Sequence, residues 1–280
     1  NYTIFLVVFS SLVIGLKAHF FYKYTSALFI ALMLYWGRFL ADITAVRQMM
    51  AMSLCLVALP YVVEKKWIIF LLVVSLAVSF HASAFIFYFA YFIYNKNWSV
   101  PFKTSLLIIS IILGSLGIVN GILYFVTEYL DSLFPYLSGK ANSYQDLGED
   151  TNFATINKST ILILGIFKRA IVIPILLYYE NKISKENKVY RGFSNLFIFG
   201  NCIYFIVVDF LSVQRLASYF YPLEIILFCM VFDFLKKKSL FLIFLILYSL
   251  MKLSNSISIA HDLLVPYIWV FQEDTFRLMR

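Results

Sequence analysis

Charge is what this chain has least of. Only 14% of its 280 residues are Asp, Glu, Lys or Arg, against about 25% in an ordinary soluble domain. No soluble core of this size could hide the Leu, Ile and Phe that fill the remainder. With 62% hydrophobic residues and a mean hydropathy of +0.86, the composition is that of a polytopic membrane protein. Other scarcities exclude other classes. Cys55, Cys202 and Cys229 stand apart in apolar segments, which argues against disulfides and against a metal site. No Gly-rich phosphate loop, no HExxH and no metal-holding pair of carboxylates occurs, so no metal and no cofactor is expected. A charge-dense soluble element of the kind that binds nucleic acid is also lacking. The net charge of +8 comes from short loops between apolar runs, where the positive-inside rule puts it.

What is there is a series of apolar runs, near 3–16, 25–41, 46–63, 104–126, 160–179, 193–211, 216–235 and 239–253. Counted as spans, with the stretch from Trp67 to Tyr94, they predict an all-α transmembrane helical bundle of about 9–10 membrane segments. No internal repeat or domain boundary is visible, so residues 1–280 are read as one transmembrane domain. The chain begins at Asn1, directly in an apolar run and without a signal-peptide n-region. It is therefore expected to be trimmed or incompletely represented at this end.

The stretch Trp67–Tyr94, with His81 at its middle, is either one long tilted helix or two short ones. Charge decides. Lys17/Lys23, Lys65/Lys66, Lys96/Lys103, Lys182/Lys185/Lys188/Arg191 and Lys236–Lys238 are the basic connections, more than half of the chain's 23 Lys and Arg residues. A single crossing puts them on alternating sides; a hairpin near His81 puts them all on one. The positive-inside rule favours the hairpin and makes that side the cytoplasm. Arg47, His81, Arg215 and the loop 127–159 then face outward. That loop is the one substantial hydrophilic stretch, and its Tyr136, Asn142, Tyr144 and Gln145 suit contact with sugars as well as simple solvation.

Two strings interrupt the apolar pattern: Val46-Arg47-Gln48-Met49 and Phe80-His81-Ala82-Ser83. A charge at membrane depth is costly and by default marks a substrate or proton site. Arg47 could snorkel, and Arg38 and Asp42 have the i,i+4 spacing of a local pair. His81 could be a core histidine bonded to a carbonyl, or a general base. Arg47 and Arg215 are each expected to open a helix running inward, where the free N–H groups already favour an anion. Lys168-Arg169 is placed near the middle of a third such helix, with Glu180 or Asp209 as structural partners for Arg169. Tyr219 lies one turn below Arg215, and Pro222 is expected to distort that helix. Lys236–Lys238 reads as a topology anchor, and Tyr267 after Pro266 as an interfacial aromatic.

Taken together, the motifs resemble those of the EpsG/Wzy-like bacterial polysaccharide polymerases. The matching residues are Arg47-Gln48 with Ala51, the Lys65-Lys66 turn, His81-Ala82-Ser83-Ala84, Arg215-Leu216-Ala217-Ser218-Tyr219-Phe220 and Pro266-Tyr267. Family members usually begin with a further span and an outward loop carrying Asp and Tyr, so a catalytic carboxylate is expected outside the present sequence. The resemblance implies a multi-pass protein of the bacterial plasma (inner) membrane that polymerises undecaprenyl-pyrophosphate-linked oligosaccharide repeat units (O-antigen, capsule or exopolysaccharide) at the outer face. It further implies a chain-length regulator and a flippase as partners within the lipid bilayer. On this reading His81, Arg47 and Arg215 are catalytic. Gln48, Arg169, Tyr219, Tyr267 and Asp42 contact substrate, with Asp42 held in reserve as the base. The arginines would neutralise the leaving pyrophosphate without a metal. Two other classes compete. A transporter or flippase of lipid-linked sugars would need the cavity to open inward too. A membrane O-acyltransferase would need acyl-CoA to reach His81 from the cytoplasm.

Overall fold

The backbone answers the scarcity of polar partners in lipid by bonding to itself. Among the described residues every regular element is a helix, the only open-chain solution that satisfies its own N–H and C=O groups without water. The computed structural model describes residues 2–43, 45–119, 121, 158–208 and 211–259; the loop 127–157 and Tyr267 lie outside them. In chain order the helices are α1 (Tyr2–Tyr24), α2 (Leu28–Ile43), α3 (Val46–Val63) and α4 (Trp67–Phe80), then a 3₁₀ helix (Ala82–Phe89) running into α5 (Ala90–Tyr94). They continue with α6 (Val100–Ser115), α7 (Lys158–Arg169), α8 (Val172–Glu186), α9 (Lys188–Ile206), α10 (Leu211–Ser218), α11 (Pro222–Phe234) and α12 (Ser239–Ile259). Among the described residues, four stretches are long and apolar enough to cross a membrane: Val46–Val63, Ser159–Glu186, Val213–Phe234 and Ser239–Ser258. Shorter apolar helices accompany them.

The expected hairpin is present. α4 stops at Phe80, His81 adopts an extended conformation (φ −152°, ψ 115°), and the chain returns as the 3₁₀ helix and α5. The two arms run back along each other: Ser75 Oγ and Tyr88 OH are 2.8 Å apart, and Tyr91 OH donates to the Lys65 carbonyl at 3.4 Å. α9 is the central helix, packing against α5, α6, α8, α10 and α11.

One end of the bundle gathers the lysine-rich turns. Lys23 Nζ is 3.3 Å from Glu64, Lys66 Nζ is 2.8 Å from the same carboxylate, and Thr25 and Ser26 donate to Asp233. The two lysines hold the exposed Glu64 carboxyl below the usual range. Two lysines assigned to these turns from sequence lie elsewhere. Lys17 is buried inside α1, which extends to Tyr24 rather than ending near residue 16. Lys103 is buried in the first turn of α6, where Nζ donates to both oxygens of Glu180 (2.6 and 2.7 Å) and to Ser194 Oγ at 3.0 Å. Glu180 is thus the partner of Lys103 and not of Arg169; Asp209 lies outside the described residues.

Removing one member of so buried a pair strands the other. Lys103→Ala is expected to cost about 3–5 kcal/mol, whereas Lys103→Met with Glu180→Leu should recover most of it, because two apolar groups leave no charge uncompensated. Unfolding of the purified protein in detergent measures both.

Two of the long stretches are interrupted. The first breaks at Ala170-Ile171, between α7 and α8, and the second at Tyr219–Tyr221, between α10 and α11. The second break is the one Pro222 was expected to cause: it stands at the first position of α11, where its missing N–H costs nothing and its fixed φ suits a helix start. These interruptions change where the arginines sit. Arg215 is in the last turn of α10 and Arg169 in the last turn of α7, so neither opens a helix, and Arg169 is at a break rather than mid-helix. Arg47 alone of the three lies in the first turn of its helix, α3.

Candidate active site

The polar residues at the other end of the bundle form two compartments that meet at α10. The larger is a cavity of about 590 Å³. Six cations line it, Lys17, Arg38, Lys168, Arg169, Arg215 and Lys252, and among the described residues its one carboxylate is Glu224. Tyr35, Tyr204 and Tyr221 supply aromatic surface, and Met49, Met52, Ile161, Leu164 and Ile225 make the wall partly apolar.

The cations are held in different ways. Arg38 Nη2 donates to Glu224 at 2.7 Å and Nη1 to the Tyr221 carbonyl at 3.1 Å, while Tyr248 OH donates to the same Glu224. Arg38 therefore pairs across the fold with α11; Asp42, its expected neighbour, lies in α2 with its side chain outside the described part. Lys17 Nζ donates to Tyr35 OH at 3.5 Å and sits 4.9 Å from that ring's centroid, the favourable placing of a cation over a π face. Arg169 donates to Asn201 Oδ1, to the Gly165 carbonyl and to Tyr221 OH, and its guanidinium lies 3.7 Å from the Tyr204 ring centroid. Arg215 is exposed, free of a burial role in the core.

The smaller compartment is built on the hairpin tip. His81 Nδ1 is 2.6 Å from Ser83 Oγ, which is 2.9 Å from Tyr219 OH, itself 3.4 Å from His81 Nδ1. With Nδ1 engaged in this triangle, Nε2 is the ring nitrogen left for a substrate. The Arg215 and Arg47 guanidiniums both lie close enough to act on the His81 ring electrostatically. Gln48 ties α3 to α10, donating to Ser218 Oγ at 2.9 Å and to the Arg215 carbonyl at 3.4 Å.

The three sequence strings, Arg47-Gln48, His81-x-Ser83 and Arg215-x-x-x-Tyr219, thus converge in space. A family model, the EpsG family, matches residues 1–269. The chain belongs to the EpsG family. No curated protein and no solved structure matches it. EpsG membership, with the apolar helices, makes this a membrane protein of polysaccharide biosynthesis and supports a polysaccharide polymerase in general terms.

Of the residues singled out from sequence, the EpsG-family fold brings Arg169 and Arg215 to the cavity wall and leaves Arg47, Gln48, His81 and Tyr219 outside its lining. Tyr219 is buried against Ser83 instead. Arg38, Lys17, Lys252 and Glu224 were not singled out as site residues. Arg38 and Glu224 carried a signal, each a charge in an apolar helix, but their partnership spans more than half the chain. Lys17 reads from sequence as a loop residue because the apolar run ends at residue 16, just before it, whereas the helix continues to Tyr24.

Proposed function

We propose that this EpsG-family protein transfers a growing glycan from a polyprenyl diphosphate onto a lipid-linked oligosaccharide repeat unit, without a metal, at the outer face of the bacterial plasma membrane. The observation that carries this reading is the cavity itself: among the described residues, six cations against one carboxylate in a partly apolar wall. A diphosphate is a multiply charged oxyanion, and guanidiniums bind such groups with paired, charge-assisted N–H donors. Within a site of low dielectric, donors fixed where charge develops are worth far more than in water. A site already so positive repels a divalent ion, so the arginines take the charge-neutralising role that a metal plays in other glycosyl transfers.

The step balances as follows. An acceptor hydroxyl oxygen attacks the anomeric carbon of the donor sugar, and the bond from that carbon to the diphosphate oxygen breaks. The lipid diphosphate leaves with the electron pair, stabilised by Arg215, Arg169 and Arg38. The hydroxyl proton passes to His81 Nε2. Arg215 suits a place between the two events, since it lines the cavity and also acts on His81. The outward assignment of this end follows from the lysine-rich turns at the other, which the positive-inside rule gives to the cytoplasm.

The test is polymerisation in detergent solution with lipid-linked repeat units extracted from the host. Chain lengthening is expected in micelles and is expected to be unchanged by EDTA. A transporter forms no new bond under these conditions, so absence of lengthening by folded protein that binds the lipid-linked repeat unit would sink the transferase reading, and loss with EDTA the metal-free one.

A further inference from the structure

Among the cavity cations, Arg169 is held by three hydrogen bonds and an aromatic ring. Nε donates to Asn201 Oδ1, Nη1 to the Gly165 carbonyl at 3.1 Å and Nη2 to Tyr221 OH at 3.1 Å. A guanidinium has five N–H donors; these three bonds fix its position and leave two. Its plane is fixed by Tyr204, whose ring centroid is 3.7 Å from the guanidinium carbon. An arginine immobilised before its ligand arrives loses no further rotamer freedom on binding.

Tyr204 can lie there only because residue 165 has no side chain. A Cβ on Gly165 would stand 2.7 Å from Tyr204 Cε1 and 2.8 Å from its hydroxyl. The atoms met are the far end of one side chain, so a methyl group would push the ring aside rather than force the helices apart. Glycine is also a poor residue for a helix interior, and Gly165 lies within α7. The same glycine accepts the Nη1 hydrogen bond, so it sets both the support beneath the guanidinium and one of its anchors.

We infer that Gly165 and Tyr204 are positioning residues that hold Arg169 as a preset oxyanion donor to the diphosphate of a polyprenyl diphosphate. The inference rests on the reading of the cavity given above. It is tested on the full chain in detergent, by comparing the affinity for undecaprenyl diphosphate with that for uncharged undecaprenol. The wild-type protein is expected to prefer the diphosphate. Gly165→Ala and Tyr204→Leu should each lower that preference about tenfold, the effect of weakening one charge-assisted contact. Undecaprenol binding and the thermal midpoint should hold, and Tyr204→Phe, which keeps the ring, should behave as wild type. If both variants keep the full preference, or lose binding of the two lipids in parallel, the role is packing and the inference is overturned. A wild-type protein with no preference overturns the diphosphate reading first, and the inference with it.

Discussion

Arg215→Ala is expected to slow chain lengthening about 10²–10³-fold, the usual loss when one donor to a developing oxyanion is removed. Single repeat units should still accumulate on lipid, because on the proposed reading they are the substrate of the slowed step and their supply does not depend on it. Arg169 and Arg38, which remain on the cavity wall, would set the residual rate. This arginine is the informative one to delete. Its side chain is exposed, in the last turn of α10, so its removal strands no buried partner, and the Gln48 and Ser218 hydrogen bonds reach its carbonyl, which any residue retains. Arg38→Ala would instead strand Glu224, mixing a folding cost with a chemical one. Arg215→Lys should fall between, since an ammonium keeps the charge and loses the paired donors. Gel analysis of lipid-linked products reads all three, and lengthening at the normal rate by Arg215→Ala would remove this residue from the mechanism.

The second large effect is at the hairpin tip. His81→Asn is expected to slow transfer about 10²–10⁴-fold, the contribution of a positioned general base. Asn is the better substitution than Ala because its amide can still meet Ser83, where Nδ1 now lies at 2.6 Å. The residual activity should also lose the acidic limb of the wild-type rate profile, a change that packing damage would not produce. Ser83→Ala and Tyr219→Phe should cost less, because they orient the ring without accepting the proton. Normal rates from His81→Asn would move the base elsewhere, and Asp42→Asn would be the next variant to measure.

Much of the architecture was readable because lipid leaves few choices. The apolar runs and lysine-rich turns carry the helices, and the positive-inside argument alone brought the hairpin to His81, where α4 ends. The three motif strings were readable as polar groups in apolar surroundings, and they do converge. Helix continuity was not readable. An apolar run reads the same whether or not it is broken at Ala170-Ile171 or Tyr219–Tyr221, so Arg169 and Arg215 were placed at helix positions they do not occupy. Long-range pairing was equally hidden: nothing local to Arg38 names Glu224, and nothing local to Lys103 names Glu180. Local spacing suggested Asp42 for Arg38 because i,i+4 neighbours are what a single helix can show.

The break between α10 and α11 has a further consequence for how this protein can vary. Three consecutive residues there point three ways. Tyr219 meets Ser83, Phe220 stacks on Phe87 with ring centroids 5.4 Å apart, and Tyr221 accepts from Arg169. Phe220 also sits against Gly200, where a Cβ would come within 2.4 Å of its own, so the middle residue is pinned. With its centre clamped against Gly200 and Phe87, the turn fixes the directions of Tyr219 and Tyr221 relative to each other. One turn thus serves both the cavity wall at Tyr221 and the hairpin tip at Tyr219. On the roles proposed for them, a homologue adapted to a bulkier glycan would be expected to alter both together or leave this turn untouched.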